Sequence, residues 1–163
     1  MSEFFARLTT YNLFNYLFPG VILLVSVRYF GIFNVDAGNI IFDLFLSYFA
    51  GMTISRVGSV IVEPLFKWLQ IVEYAEYDDY LEASEKDEKI SDLLEVNNVY
   101  RTIVSLSLSL LFLLGVSGFM KCFGLSANIV VGILLAAVGI LYIFAYRKQT
   151  SYIRRRVEKA LKK

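Results

Sequence analysis

The sequence predicts an all-α integral membrane protein: four transmembrane helices, a cytoplasmic helical hairpin between spans 2 and 3, and a basic C-terminal helix. Three observations lead there. Four stretches, about 11–30, 39–62, 102–123 and 128–146, are apolar and near the roughly 20 residues a helix needs to cross about 30 Å of hydrocarbon. The composition is 57% hydrophobic in 163 residues, with a mean hydropathy of +0.59, against roughly 45–50% apolar residues in soluble domains. Charge, finally, is segregated rather than spread.

The net charge of +1 conceals two opposed blocks. Between Glu73 and Glu95, ten Asp or Glu face only Lys86 and Lys89; from Arg147 onward, eight Lys or Arg face only Glu158. One domain, 1–163, is the sensible count, with 65–100 as a cytoplasmic helical insertion and 147–163 as a basic cytoplasmic tail. Short loops rich in Lys and Arg stay in the cytoplasm. The connection 31–38 has none and the one around 121–127 has only Lys121, while Arg7, Lys67, Lys86, Lys89, Arg101 and the tail lie on the other side. A multi-pass protein with both termini cytoplasmic is the expected topology.

Span 1 is too long for the apolar region of a signal peptide and no small-residue cleavage site follows, so it reads as a retained span. Pro19 and Gly20 interrupt it. Proline removes a helix hydrogen bond and clashes with the preceding turn, which makes this pair either a fixed kink or a hinge. Arg28, near the outer end, can extend its head to the interface.

Span 2 carries the most information. Asp43, Ser47, Gly51, Ser55, Ser59 and Glu63 recur at every fourth position, so adjacent members share one side of the helix. Small residues at this spacing, Gly51 among them, let another helix backbone approach. Arg56 sits beside the row and must face protein, water or headgroups, because lipid exposure costs several kcal/mol. Two readings stand. Asp43, Arg56 and Glu63 mark the ends of a shortened, tilted span, or together with Ser47, Ser55 and Ser59 they line or gate a polar path between helices.

Beyond Pro64, Phe66, Trp68, Leu69 and Val72 continue an apolar helical face, with Trp68 placed for an aromatic belt. Tyr74, Tyr77 and Tyr80 follow at three-residue steps, for packing or for recognition. Ile90, Leu93 and Leu94 predict a second short amphipathic helix. Some thirty residues cannot hold a core alone, so these faces are expected against other subunits or a partner. In span 3, Ser105 and Ser109 share one side, with Gly115 and Gly118 further along. Cys122, the only cysteine, reads as a small packing residue. Gly132, Ala136 and Gly139 give span 4 a seam for helix packing. In the tail, Arg147, Lys148, Arg154, Arg155 and Arg156 suit anionic lipid or an anionic ligand such as an oligonucleotide.

Catalytic machinery is not evident. Without histidine the usual general base and the commonest metal ligand are missing, and one cysteine excludes a multi-Cys zinc site. No phosphate-binding glycine loop, H-E-x-x-H or G-x-S-x-G is present. Neither an enzyme, a cofactor nor a metal is expected. Four spans without an internal repeat also disfavour a secondary transporter. Oligomerisation remains, because several copies around an axis can enclose a path that one copy has no room for.

The segment Thr9–Leu24, TTYNLFNYLFPGVILL, and above all Asn15–Gly20, resembles the small four-span membrane proteins of bacterial anti-phage defence operons, the Hailong and Kiwa components in particular. The layout of the whole chain is similar to theirs. Likeness to the Hailong effector implies an oligomeric ion channel in the inner membrane, held shut by a nucleotide-derived signal from a partner enzyme. Likeness to the Kiwa membrane subunit implies a non-conducting tetrameric sensor coupled to a cytosolic DNA-binding protein. No functional motif carries over residue by residue. No nucleotide-sensing domain follows span 4, so a signal or partner is expected at 65–100 and the tail. The function expected is that of a homo-oligomeric channel or pore effector, a tetramer, gated from the cytoplasm, with the sensor or anchor as the alternative.

Overall fold

In the computed structural model, residues 10–33 and 38–161 are described. Arg7, residues 34–37 of the outer connection, and Lys162 and Lys163 at the end of the basic tail lie outside them. Five helices follow in order: α1 (Thr10–Tyr29), α2 (Ile40–Trp68), α3 (Tyr77–Lys86), α4 (Lys89–Phe123) and α5 (Ala127–Leu161). All but α3 are long and apolar enough to cross a membrane.

Local chemistry sets where the spans stop. At the end of α1, Gly31 takes a left-handed conformation, φ 58°, and the chain closes with Ile32 N–H donating to the Val27 carbonyl at 3.0 Å. The Asn39 side chain accepts from Ile41 N–H at 2.9 Å and starts α2, satisfying one of the free donors of a helix N-terminus. Gln70, φ 56°, ends α2 with the same double closure, Gln70 N–H to the Lys67 carbonyl and Ile71 N–H to the Phe66 carbonyl, a geometry that usually recruits glycine. Leu69 and Val72 therefore lie beyond the helix and do not extend its apolar face.

The hairpin differs from expectation in its second arm. No proline or glycine falls between Lys89 and Gly115, and the helix predicted around Ile90–Leu94 is the N-terminal start of α4. The basic tail likewise continues α5. At 35 residues each, both helices run about 52 Å, roughly 20 Å more than a hydrocarbon core.

Both prolines of the chain sit just after a one-turn widening of their helix to π geometry, Leu13–Leu17 before Pro19 and Gly58–Val62 before Pro64. The register change is explicit: Phe18 N–H donates to the Leu13 carbonyl and Glu63 N–H to the Gly58 carbonyl, five residues back. Such turns relieve the clash between a proline ring and the preceding turn and aim side chains away from their helical positions.

α1 and α2 cross at their small residues. A β-carbon on Gly20 would fall inside the Ser47 carbonyl oxygen, and one on Gly51 inside that of Tyr16. Tyr16/Gly20 and Ser47/Gly51 thus form reciprocal pairs four residues apart, and Tyr16 packs edge-on against Tyr48 at 5.8 Å. α5 leans on α2 through buried Leu141 and Ala145 and the stacked rings of Phe49 and Tyr142. α3 reaches the same helix through Tyr77, stacked on Tyr152 at 4.9 Å, and the Lys159 ammonium donates to the Asp78 carbonyl. The tyrosines of the insertion are packing groups here.

Burial is inverted relative to a soluble protein. The largest fully buried side chains are Asn15, Thr102 and Ser105, while Phe45, Leu111, Leu135 and Ile143 are each at least 65% exposed. Apolar surface on this scale needs lipid or other chains to cover it, and polar groups inside a bilayer must be satisfied within the protein.

Candidate functional site

Polar side chains of the spans gather in three places. At the outer end, Arg28 and Asp43 form a two-pronged ion pair, Nη2 to Oδ1 at 2.7 Å and Nη1 to Oδ2 at 2.9 Å, a planar match that fixes α1 against α2. Arg28, expected to reach for headgroups, is engaged instead with the first charge of the α2 row.

A neutral cluster lies between that pair and the Glu63 end of α2. The π turn of α1 brings Asn15 inward to 1% exposure. Its amide donates to the Ser55 hydroxyl at 3.2 Å and to the Tyr11 hydroxyl at 3.1 Å. Its carbonyl accepts from Thr102 Oγ1 at 2.6 Å. Three helices are joined by short side chains, and Ser105, one turn on, returns its hydroxyl to the Arg101 carbonyl.

The third place is a charged hub centred on Glu63, only 7% exposed. Arg101 Nη1 donates to its Oε2 at 2.7 Å, and the ammonium groups of Lys148 and Lys67 lie 3.2 and 3.3 Å from its Oε1. Lys148 also donates to the Ser59 carbonyl at 2.8 Å and to the Ser59 hydroxyl at 3.1 Å. Three cations converge on one carboxylate from α2, α4 and α5, leaving the hub positive. Tyrosine rings flank it, Tyr74 under Lys67 at 4.3 Å and Tyr152 near Lys148 at 5.8 Å.

Asp43 and Glu63 are 20 residues apart on one helix, about 30 Å by helical rise, which equals the hydrocarbon thickness. Arg56 lies about 10 Å to the membrane side of Glu63. It is half-buried and makes no hydrogen bond or ion pair among the described residues. Helical side chains slant toward the N-terminus of their helix, so Arg56 slants away from the Glu63 end of α2 and toward its Asp43 end.

The α2 row is therefore divided. Asp43, Ser47, Gly51, Ser55, Ser59 and Glu63 all meet other helices of their own chain, and Arg56 makes no hydrogen bond or ion pair among the described residues. Pro19 and Gly20 lie in a continuous helix, Gly20 pressed against Ser47. Beyond the helix's own backbone, no described atom lies within 4 Å of a β-carbon built on Gly132 or Gly139, and Ala136 is exposed, so that seam is unfilled among the described residues. Cys122 is exposed too, outside the packing expected of it. Lys148 turns inward while Arg147, Arg154, Arg155 and Arg156 stay exposed, with Arg154 3.5 Å from Glu158.

Asn15, Arg101 and Thr102 were not legible as site residues from spacing. An Asn in the middle of an apolar run is the signal that could have marked Asn15. Arg101 and Thr102 stood at the edge of a span, where charge and hydroxyls are ordinary. Among the described residues no group of three or more His, Cys, Asp or Glu could hold a metal ion. No protein-family model, curated protein or solved structure matches the chain.

Proposed function

We propose that the protein is a homo-oligomeric membrane channel or pore effector, gated from its cytoplasmic end and closed in the conformation described above. Arg56 carries this reading. An arginine about 10 Å inside the charged boundary, slanting toward the membrane centre and unpaired among the described residues, costs roughly 2.5–3.5 kcal/mol or more if lipid surrounds it. Another copy of the chain, or water enclosed by several copies, removes that cost. The unfilled seam of Gly132, Ala136 and Gly139 offers close helix contact for such an assembly, and four copies is the number taken from the resemblance. A signal would act at the hub, where α4 and α5 enter the membrane as long rigid rods from the acidic insertion and the basic tail. Its excess positive charge and the exposed Arg154–Arg156 favour an anionic one, nucleotide-derived or carried by a partner protein. An inner-membrane defence role follows from the likeness to the Hailong component.

The test is ion flux in liposomes reconstituted with purified protein. Glu63→Gln is expected to raise basal flux by loosening the hub, and Arg56→Ala to change both flux and subunit number. Bilayers that stay tight for all three proteins, at every voltage and salt tried, would overturn the channel. They would favour the second reading, a non-conducting sensor or anchor that recruits a cytosolic partner through 65–100 and the tail. One observation already leans that way: apart from Arg56, the polar row of α2 is engaged within the chain.

A further inference from the structure

We propose that Lys148 is a removable latch between α5 and α2, and that Pro64 makes the latch by leaving the Ser59 carbonyl without a backbone donor. The π turn Gly58–Val62 closes with Glu63 N–H donating to the Gly58 carbonyl, five residues back. The next bond in that register would join residue 64 to Ser59. Proline has no N–H to give, so the Ser59 carbonyl faces the helix interface unpaired, a costly state for a backbone oxygen away from water. The Lys148 ammonium fills the place at 2.8 Å and directs its other contacts to the Ser59 hydroxyl and Glu63 Oε1.

The rest of α5 makes this contact consequential. Around Gly132 and Gly139 there is open space, and the helix is held to α2 by a few apolar contacts around Leu141, Tyr142 and Ala145. Among the described residues, Lys148 is the polar tie on that interface. One turn on, Tyr152 stacks on Tyr77 of α3, so a displacement of the acidic insertion bears directly on the turn of α5 that carries the latch. Broken helices whose freed carbonyls bind cations are a recurrent device where membrane helices move. Here the cation is tethered, and it can leave without leaving the protein. The inference does not depend on whether an assembly conducts.

The latch is tested by pairing Lys148→Met with Pro64→Ala in purified protein in detergent, with Trp68, the only tryptophan, as the unfolding reporter. Lys148→Met is expected to lower the midpoint by about 4 °C when Pro64 is present. In the Pro64→Ala background a backbone donor returns to the Ser59 carbonyl in either register, from residue 64 if the turn stays π or from residue 63 if it reverts to α. The same lysine substitution should then cost less than half as much. Folding of Lys148→Met only when combined with Pro64→Ala would be the strongest form of that result. Equal losses in both backgrounds would overturn the carbonyl's part, and Lys148→Gln repeats the comparison with a milder change if neither Met variant folds. Spin labels at positions 61 and 144, both exposed in the chain, in a Cys122→Ser background, read the latch itself. Lys148→Met should add a longer-distance population, and an unchanged distribution would overturn it.

Discussion

Beside the π turn before Pro19 the buried polar side chains are neutral, and beside the one before Pro64 they are charged. The backbones are alike, each a five-residue π turn closed by an N–H donating five residues back. The Asn15 cluster uses short side chains with little freedom, all hydrogen-bonded. The Glu63 hub uses long ones, gives one carboxylate three cations, and stands where α2, α4 and α5 meet. Neutral hydrogen bonds between membrane helices give shape at modest energy. A partly wet charge cluster gives more energy and also a handle, because any ion that approaches can compete for it. We take the first turn as a fixed joint and the second as the one that can change state.

The largest effect should come from Glu63. Glu63→Gln leaves Lys67, Arg101 and Lys148 facing one another without a counter-charge, a loss of about 2–4 kcal/mol once the exposure of Lys67 is allowed for. Asn15→Leu removes contacts to α2 and α4, but Thr102 can turn its one hydroxyl hydrogen to the Asn98 carbonyl, 2.9 Å away, so about 1 kcal/mol is expected. Unfolding midpoints in one detergent measure both. An Asn15 variant that falls further than the Glu63 variant would reverse the contrast.

Salt separates the two turns next. Raising ionic strength from about 0.05 to 0.5 M shortens the screening length more than twofold. The gap in midpoint between the native chain and Glu63→Gln should narrow, and the gap to Asn15→Leu should stay put. Equal narrowing of both would mean that the hub is as insulated from solvent as the amide cluster.

This contrast shows how far the sequence could be read. Hydropathy located the four spans, because lipid imposes a length and a composition that no neighbour needs to supply. The α2 row was visible for the same reason, as a period within one helix. Its partners were not. Glu63 meets residues 38 and 85 positions away, and only helix packing decides which cation reaches a carboxylate. The π turns were hidden too: proline announces a disturbance, yet kinks and widened turns share that letter. Ile90, Leu93 and Leu94 suggested a separate short helix before span 3, although the lack of Pro or Gly there already allowed one unbroken α4.

At the outer end, Arg28 and Asp43 give a third, smaller contrast. The pair is well formed but a quarter exposed on each side, and such pairs contribute far less than buried ones. Asp43→Asn should lower the midpoint less than Asn15→Leu does. The exchange Arg28→Asp with Asp43→Arg should recover much of that loss, because the two side chains trade places across one interface. No recovery would mean that Arg28 serves through its other contacts rather than through Asp43.

The smallest expected effect asks which oxygen of Ser59 holds Lys148. The hydroxyl lies at 3.1 Å and the carbonyl at 2.8 Å, and the carbonyl is the one without a backbone donor. Ser59→Ala deletes only the hydroxyl, and the ammonium keeps its carbonyl and carboxylate partners. A loss of about 0.5 kcal/mol or less is expected, at the low end for a hydrogen bond with no group left stranded. The same substitution made with Lys148→Met should then cost nothing further, since the hydroxyl has no other partner at the hub. A loss as large as that of Lys148→Met itself would transfer the grip to the side chain, and Pro64 would then owe its place to the shape of the turn rather than to the carbonyl it exposes.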